Sequence, residues 1–256
     1  MPELPEVEVT CQRIRPFLEG RVVQELQTTA DSYFFVTPTG RLREALVGKR
    51  IETLRRLGKY LLARLDSSKD LLLHLGMTGQ LFTERARSPR LLSSTGAGTL
   101  TPEQQQGFVV DLHTHLRFRF QDDGPEVLFR DVRKFGKVQL VDPGSPNARL
   151  DKLGPDALKT SGALLRNASR GRKVAIKTLL LNQSVLAGVG NIYADEALFR
   201  AGLRPGRAAG RLTGPDCERL AEAVRTVLLR SIETGGSSIS DYVQPDGSDG
   251  GYQGKA

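Results

Sequence analysis

Cysteine is nearly absent from this chain of 256 residues. Cys11 and Cys217 are the only two, too few and too far apart for a disulfide framework or a four-thiolate zinc site. Histidine is almost as scarce, with His74, His113 and His115 the only three. His113-Thr114-His115 could supply two metal ligands, but no third or fourth stands at regular spacing from them. No apolar run approaches the ~18 residues that a membrane helix needs, and no charged-then-apolar leader precedes residue 20. These absences predict a cytoplasmic protein without membrane contact.

Acidic residues are also in short supply. Lys and Arg number 37 against 29 Asp and Glu, for a net charge of +8 and a pI near 9.7. Residues 156–232 hold 13 basic and 6 acidic side chains, a balance of +7, so the other 24 and 23 nearly cancel. Uniform solvation does not concentrate charge in this way; a nucleic-acid-binding domain does. With 39% hydrophobic and 26% charged residues, the length allows one large or two ordinary globular domains.

The chain opens Met1-Pro2-Glu3-Leu4-Pro5-Glu6. A small residue after the initiator favours removal of Met1, leaving Pro2 with a free secondary amine. An α-amino group titrates near ~7.7–8.0, against ~10.4 for lysine, so part of it is nucleophilic at neutral pH and can form an iminium with an electrophilic carbon. Glu3 then stands beside it as an acid or base. Pro5 and Glu6 also suit the first turn of a helix, but that reading leaves Pro2 unexplained.

Apolar spacing at Val7, Cys11, Ile14 and Leu18 predicts a first helix over about 5–18. Short strands follow at Val22-Val23, Tyr33–Val36, Tyr60–Ala63, Leu71–Leu73, Leu116–Phe120 and Val127–Phe129, with a hairpin turn at Asp122-Asp123-Gly124. Such a series predicts a β-sandwich or barrel. Residues 84–107 lack periodicity and read as a mobile surface insertion. A linker at Asp142–Asn147 leads into helices over Ala157–Leu165, Val174–Leu181, Asn191–Ala201 and Pro215–Ile232, the last capped by Thr213. From Thr234 onward, Gly, Ser and Asp predict loop or weak structure.

Several motifs carry chemistry. Gly58-Lys59-Tyr60 places a lysine at a strand entrance, either simply solvated or able to stabilise a departing phosphate. In His74-Leu75-Gly76-Met77-Thr78-Gly79, Met77 is either core or an unbranched thioether that can slide between bases. Arg133 and Phe135, within Asp131-Val132-Arg133-Lys134-Phe135-Gly136, suit base-edge pairing and wedging. Gly188-Val189-Gly190-Asn191 opens a helix with backbone donors that can meet an anion. A dinucleotide reading of these glycines lacks both a preceding strand and the third glycine.

Taken together, these motifs resemble the formamidopyrimidine-DNA glycosylase family over nearly the whole chain, up to about Gly251. The resemblance implies an α+β fold: an N-terminal helix-flanked β-sandwich over 1–142, a linker at 143–155 and a helical helix–two-turn–helix domain over 156–232. A lesion-recognition loop and tail follow over 233–256. It implies Pro2 as nucleophile, Glu3 as acid/base and Lys59 as a phosphate contact that assists β-elimination. DNA contacts are implied for Met77, Arg133 and Phe135 as void fillers, for His74 in the same motif, and for Arg172 and Asn191 on the phosphates flanking the lesion. A histidine phosphate contact falls on His113, with His115 the alternative. Gly235–Tyr242 corresponds to a loop that folds over a flipped 8-oxoguanine. The family's C-terminal four-cysteine zinc finger has no counterpart, since no cysteine follows Cys217, so no cofactor is expected in this chain. The expected partner is damaged double-stranded DNA, bound by a monomer. Two competing readings are a DNA-damage-binding protein without catalysis and an endonuclease VIII-like enzyme for oxidised pyrimidines.

Overall fold

A computed structural model describes residues 1–88, 91, 108–238 and 242–252. Two four-stranded antiparallel sheets form the first half. The strands are β1 (Val23–Thr28), β2 (Ile51–Leu57), β3 (Tyr60–Leu65), β4 (Asp70–His74), β5 (Gly79–Thr83), β6 (Thr114–Phe120), β7 (Val127–Asp131) and β8 (Lys137–Val141). Their order is β1-β6-β7-β5 in one sheet and β2-β3-β4-β8 in the other. Inward residues of both, among them Leu26, Leu61, Leu73, Phe118 and Phe129, close one core together with Phe34 and with Val7, Cys11 and Ile14 of helix α1 (Leu4–Ile14). Alternation in β6 works as its sequence predicts: Leu116, Phe118 and Phe120 are buried, while Arg117 and Arg119 face out to Glu126 and Glu25.

Helix α1 ends earlier than its apolar spacing predicts. Pro16 lacks an N–H to continue the ladder, and Arg15–Phe17 tightens into a 3-10 turn. Tyr33–Val36 is not a strand. Phe35 makes only a single bridge to Val138, and Pro38 then diverts the chain into α2 (Thr39–Leu46), whose Thr39 N–H is held by Asp31 Oδ1 at 2.7 Å. Phe34 reaches the core from a turn, so its apolar neighbours mimic a strand without a ladder.

The second half is helical: α3 (Gly162–Ser169), α4 (Ile176–Leu181), α5 (Asn191–Arg200) and α6 (Gly214–Glu233). The helix expected over Ala157–Leu165 is split. Ala157–Lys159 is a 3-10 turn, and Ser161 then caps α3 by accepting from the Leu164 N–H at 3.2 Å. Similarly, α4 starts at Ile176 because Ala175 is tied up in a bridge to Ala208. In α6, Thr213 and Asp216 form a reciprocal capping box. These helices share a core of their own that also takes in Leu4, the residue next to Glu3.

Two segments expected to be loose are packed at their described ends. Ala86 and Leu91 of the insertion and Phe108 just after it bury with Phe82 and Leu128 on the outer face of a sheet. The tail supplies Val243 to the same cluster, and the Thr83 and Arg87 N–H groups donate to the Pro245 and Asp246 carbonyls at 3.3 and 3.4 Å. The tail thus lacks regular structure without being weakly held. The body of the insertion, Ile239–Asp241 of the expected lesion loop and residues 253–256 lie outside the described residues. Among the described residues, no helix is long and apolar enough to cross a membrane.

Candidate active site

Glu3 is 1% exposed, and its carboxylate occupies the N-terminus of α5. It accepts from the N–H groups of Gly190 at 2.8 Å, Ile192 at 2.9 Å and Tyr193 at 3.4 Å. A helix start presents unpaired donors and a partial positive charge, and here a carboxylate from the far end of the chain satisfies them. The Leu4 N–H adds a bond to the Gly188 carbonyl at 3.0 Å. Glycine is required at both turn positions. A Cβ on Gly190 would stand 2.3 Å from the Glu3 carboxyl carbon, and one on Gly188, at φ +109°, would stand 2.5 Å from Leu4 Cδ1. Pro2, itself buried, is thereby pinned where the two halves meet.

Lys59 approaches from the β2–β3 turn. Gly58, at φ +58°, lets that turn come so close to Ala187 that an added Cβ would lie 3.2 Å from the Ala187 Cβ. Arg56, 8% exposed in its side chain, braces the turn. It pairs with Glu8 at 2.5 Å and Asp156 at 2.7 Å and donates to the Gly58 carbonyl at 3.0 Å. Burial lowers the Lys59 pKa, opposed by the charges of Glu3 and Glu6, and burial raises that of Glu3, opposed first by Lys59 and then by the three helix donors. The site thus holds a buried carboxyl and a buried ammonium within each other's field, the carboxyl on the residue that follows Pro2. Such a set can protonate a leaving oxygen, stabilise an anion and support covalent catalysis.

Glu6 is legible in the sequence only as a helix-start residue. Its carboxylate accepts from the Glu3 N–H at 2.8 Å, the Tyr193 hydroxyl at 2.5 Å and the Ser237 N–H at 2.9 Å. Ser231 completes the cluster, 2.5 Å from the Tyr193 hydroxyl. One buried carboxyl therefore ties the N-terminal segment to α5 and to the foot of the Gly235–Tyr242 loop. Burial pushes its pKa from 4.5 up to about 6, a shift worth roughly 2 kcal/mol. The folded state then holds this proton more tightly than the unfolded chain, so the group's contribution to stability declines as pH rises from about 4.5 through about 6. Glu6→Gln removes that dependence. Urea melts should show the variant gaining on the wild type by roughly 2 kcal/mol between pH about 4.5 and 7, and a constant gap would contradict the assignment.

The Met77 and Arg133–Phe135 turns are built as one unit. Asp131, fully buried, accepts from the Thr78 hydroxyl at 2.5 Å, the Arg133 N–H at 3.2 Å and the Gly136 N–H at 2.7 Å. A Cβ on Gly76 would meet the Gly136 nitrogen at 2.5 Å, so the two turns touch through their backbones. Met77 and Phe135 nonetheless project outward, 38% and 43% exposed, with the Arg133 guanidinium 4.8 Å from the Phe135 ring centroid. Exposing an aromatic and a thioether on a braced platform suits insertion into a base stack.

His74 lies under this platform. It packs on Tyr60 with centroids 4.8 Å apart, and its Nδ1 accepts from the Gly76 N–H at 3.2 Å. Burial, helped by Lys59, Arg149 and Lys137, pushes its pKa down to about 4, so the ring is neutral at neutral pH and shapes the turn. The two remaining histidines separate cleanly. His115 is 1% exposed, with Nε2 3.0 Å from the Asp131 carbonyl and Nδ1 3.2 Å from the Thr29 hydroxyl, whereas His113 is only partly buried. Arg172 and Asn191 are both exposed, Asn191 at the first position of α5 next to the Glu3-binding donors. Cys11 and Cys217 are buried in different cores. Among the described residues, no group of three or more His, Cys, Asp or Glu is arranged to hold a metal.

Gly190→Ala should report on this geometry directly. The methyl group displaces the Glu3 carboxylate, and misplacement of about 1 Å costs roughly 100-fold in rate. Single-turnover base excision, the activity that the resemblance implies, should fall accordingly; an undiminished rate would mean that the Glu3–α5 contact is only structural.

Known proteins agree with this architecture. Residues 1–138 match the model of the formamidopyrimidine-DNA glycosylase N-terminal domain, and residues 153–243 match that of the formamidopyrimidine-DNA glycosylase H2TH domain. A formamidopyrimidine-DNA glycosylase of Paracoccus denitrificans is 39% identical over 255 residues, covering 99% of this chain and 86% of its own. The crystal structure of the MutM (Fpg) protein of Thermus thermophilus superposes with a TM-score of 0.81 at 35% identity, over 99% of this chain and 85% of that one. A Lactococcus lactis Fpg variant in complex with a Fapy-dG-containing DNA gives 0.81 at 28% identity, over 99% and 86%. The chain is a member of the formamidopyrimidine-DNA glycosylase family.

Proposed function

We propose that the protein excises oxidised purines, 8-oxoguanine and formamidopyrimidines, from duplex DNA and then cleaves the strand at the abasic site. The observation that carries this reading is the Glu3 carboxyl, buried beside Pro2 on the donors of α5 and within the field of Lys59. Family membership and a relative bound to Fapy-dG-containing DNA support the substrate class. The division into a catalytic part over 1–142 and a DNA-binding part over 156–232 belongs to the same proposal, as does bacterial cytoplasmic location.

In this mechanism the duplex lies between the two halves and the damaged nucleotide is flipped out, at a cost lower than for an intact pair. Met77 and Phe135 fill the gap, and Arg133 meets the orphaned base. With Met1 removed, the Pro2 nitrogen donates its lone pair to C1′, the glycosidic bond breaks with its electron pair on the base, and the departing base takes up the proton that the nitrogen sheds. Glu3 protonates O4′ as the C1′–O4′ bond opens, and the nitrogen lone pair freed by that proton loss closes the iminium at C1′. The iminium acidifies the 2′-hydrogen. Removal of that proton expels the 3′-phosphate with the C3′–O electron pair, stabilised by Lys59. Water then releases the sugar fragment from Pro2. None of these roles calls on a metal.

The test is cleavage of matched duplexes carrying 8-oxoguanine opposite cytosine or thymine glycol opposite adenine. The proposal predicts faster excision of 8-oxoguanine. Binding without cleavage, or preference for thymine glycol, would overturn it.

A further inference from the structure

The basic excess of the helical half continues past Arg172. Beside it runs an open groove of about 660 Å3, lined by Gly171, Arg172, Lys173, Arg207, Gly210 and Arg211, and a neighbouring hollow adds Arg204. Two segments form it, joined by the Ala175–Ala208 bridge and by the Gly210 N–H donating to the Arg172 carbonyl at 2.8 Å. A Cβ on Gly210 would stand 2.8 Å from the Arg172 carbonyl oxygen, so only glycine lets the segments lie this close. Arg207 is a brace: it donates to the Arg211 carbonyl at 2.7 Å and pairs with Asp216 at 3.0 Å, while Asp216 also holds Arg219 at 2.6 Å. Lys173, Arg204 and Arg211 are different. All three are exposed, and among the described residues their side chains form no hydrogen bond or ion pair.

Like charges gathered around a groove repel one another unless an anion occupies it. We propose that this groove carries backbone phosphates of the duplex arm beyond those met at Arg172 and Asn191, with Lys173, Arg204 and Arg211 as the contacting cations. The inference rests on the reading that the protein binds duplex DNA and extends its footprint along one arm. Continuity with Arg172 favours the same polyanion over a separate acidic peptide. Point charges without a base-reading partner make the contact independent of sequence.

Binding of the whole protein is measured by fluorescence anisotropy across a salt series, on a duplex of about one helical turn, roughly 10 base pairs, and on one of about three turns. Each phosphate contact contributes about 0.9 to the slope of log K against log salt. Arg204→Ala with Arg211→Ala should lower the slope on the long duplex by about 2 and leave the short-duplex slope unchanged. Arg204→Lys with Arg211→Lys should restore it, since a phosphate accepts either cation, and thermal melting confirms that each variant is folded. An unchanged slope on the long duplex, or an equal drop on both, would overturn the proposal. The readout is binding alone, so failure of lesion excision leaves it interpretable, whereas absence of any duplex binding would instead refute the reading beneath it.

Discussion

Glu3→Gln is expected to lower excision of 8-oxoguanine by about 1,000-fold, within the range for loss of a general acid, while cleavage at a preformed abasic site falls much less. The asymmetry follows from what the carboxyl does. Opening the intact sugar requires a proton at O4′, and Glu3 is the buried carboxyl beside Pro2 whose pKa burial raises. An abasic site already samples the open aldehyde, so iminium formation there does not depend on that proton. Glutamine keeps the size of the side chain but only one acceptor oxygen, whereas Gly190 and Ile192 donate to different oxygens of Glu3, so the loss of one helix-end bond is common to both substrates and cancels in their comparison. Single-turnover rates on the two substrates give the comparison. An equal loss on both would move Glu3 from proton donor to general positioning.

Pro2→Gly is the second large effect. It leaves a terminal amine, but it discards the secondary amine and the ring that burial holds in place. Excision should drop by about 100-fold or more, equivalent to roughly 3 kcal/mol of barrier, with residual cleavage of abasic sites from the primary amine. Full excision activity in this variant would remove Pro2 from the nucleophile role.

Much of this site can be read from the chain because its chemistry depends on residue types at its start. A proline after the initiator, a neighbouring glutamate and a lysine at a strand entrance each have a chemical meaning before any fold is known. Their convergence is not legible. The Glu3 contact with Gly190 spans 187 residues, and no local periodicity reports on it. Glu6 escapes notice as a connector because proximity to a helix start already explains it; the signal available is a second glutamate three residues after Glu3, aligned on the same side of the first turn. His113 and His115 cannot be separated until the structure shows one ring enclosed by Asp131 and Thr29.

Departures in secondary structure have the same origin. Tyr33–Val36 looks like a strand because buried turns and strands draw on the same apolar residues, and only the partner ladder distinguishes them. Strands β2, β5 and β8 do not stand out in the sequence. Arg55 and Arg56 interrupt β2, and the latter is committed to the Glu8 and Asp156 carboxylates, while β5 is buried throughout and so shows no alternation. The tail after Thr234 reads as polar and glycine-rich, yet Tyr242, Val243 and Tyr252 anchor it.

The most direct test of the account is borohydride reduction during reaction with an 8-oxoguanine:cytosine duplex, followed by peptide mass mapping of the trapped complex. The account predicts a covalent adduct on the N-terminal peptide with the sugar remnant on Pro2. An adduct on Lys59 or another lysine, or strand cleavage with no trappable intermediate, would contradict it.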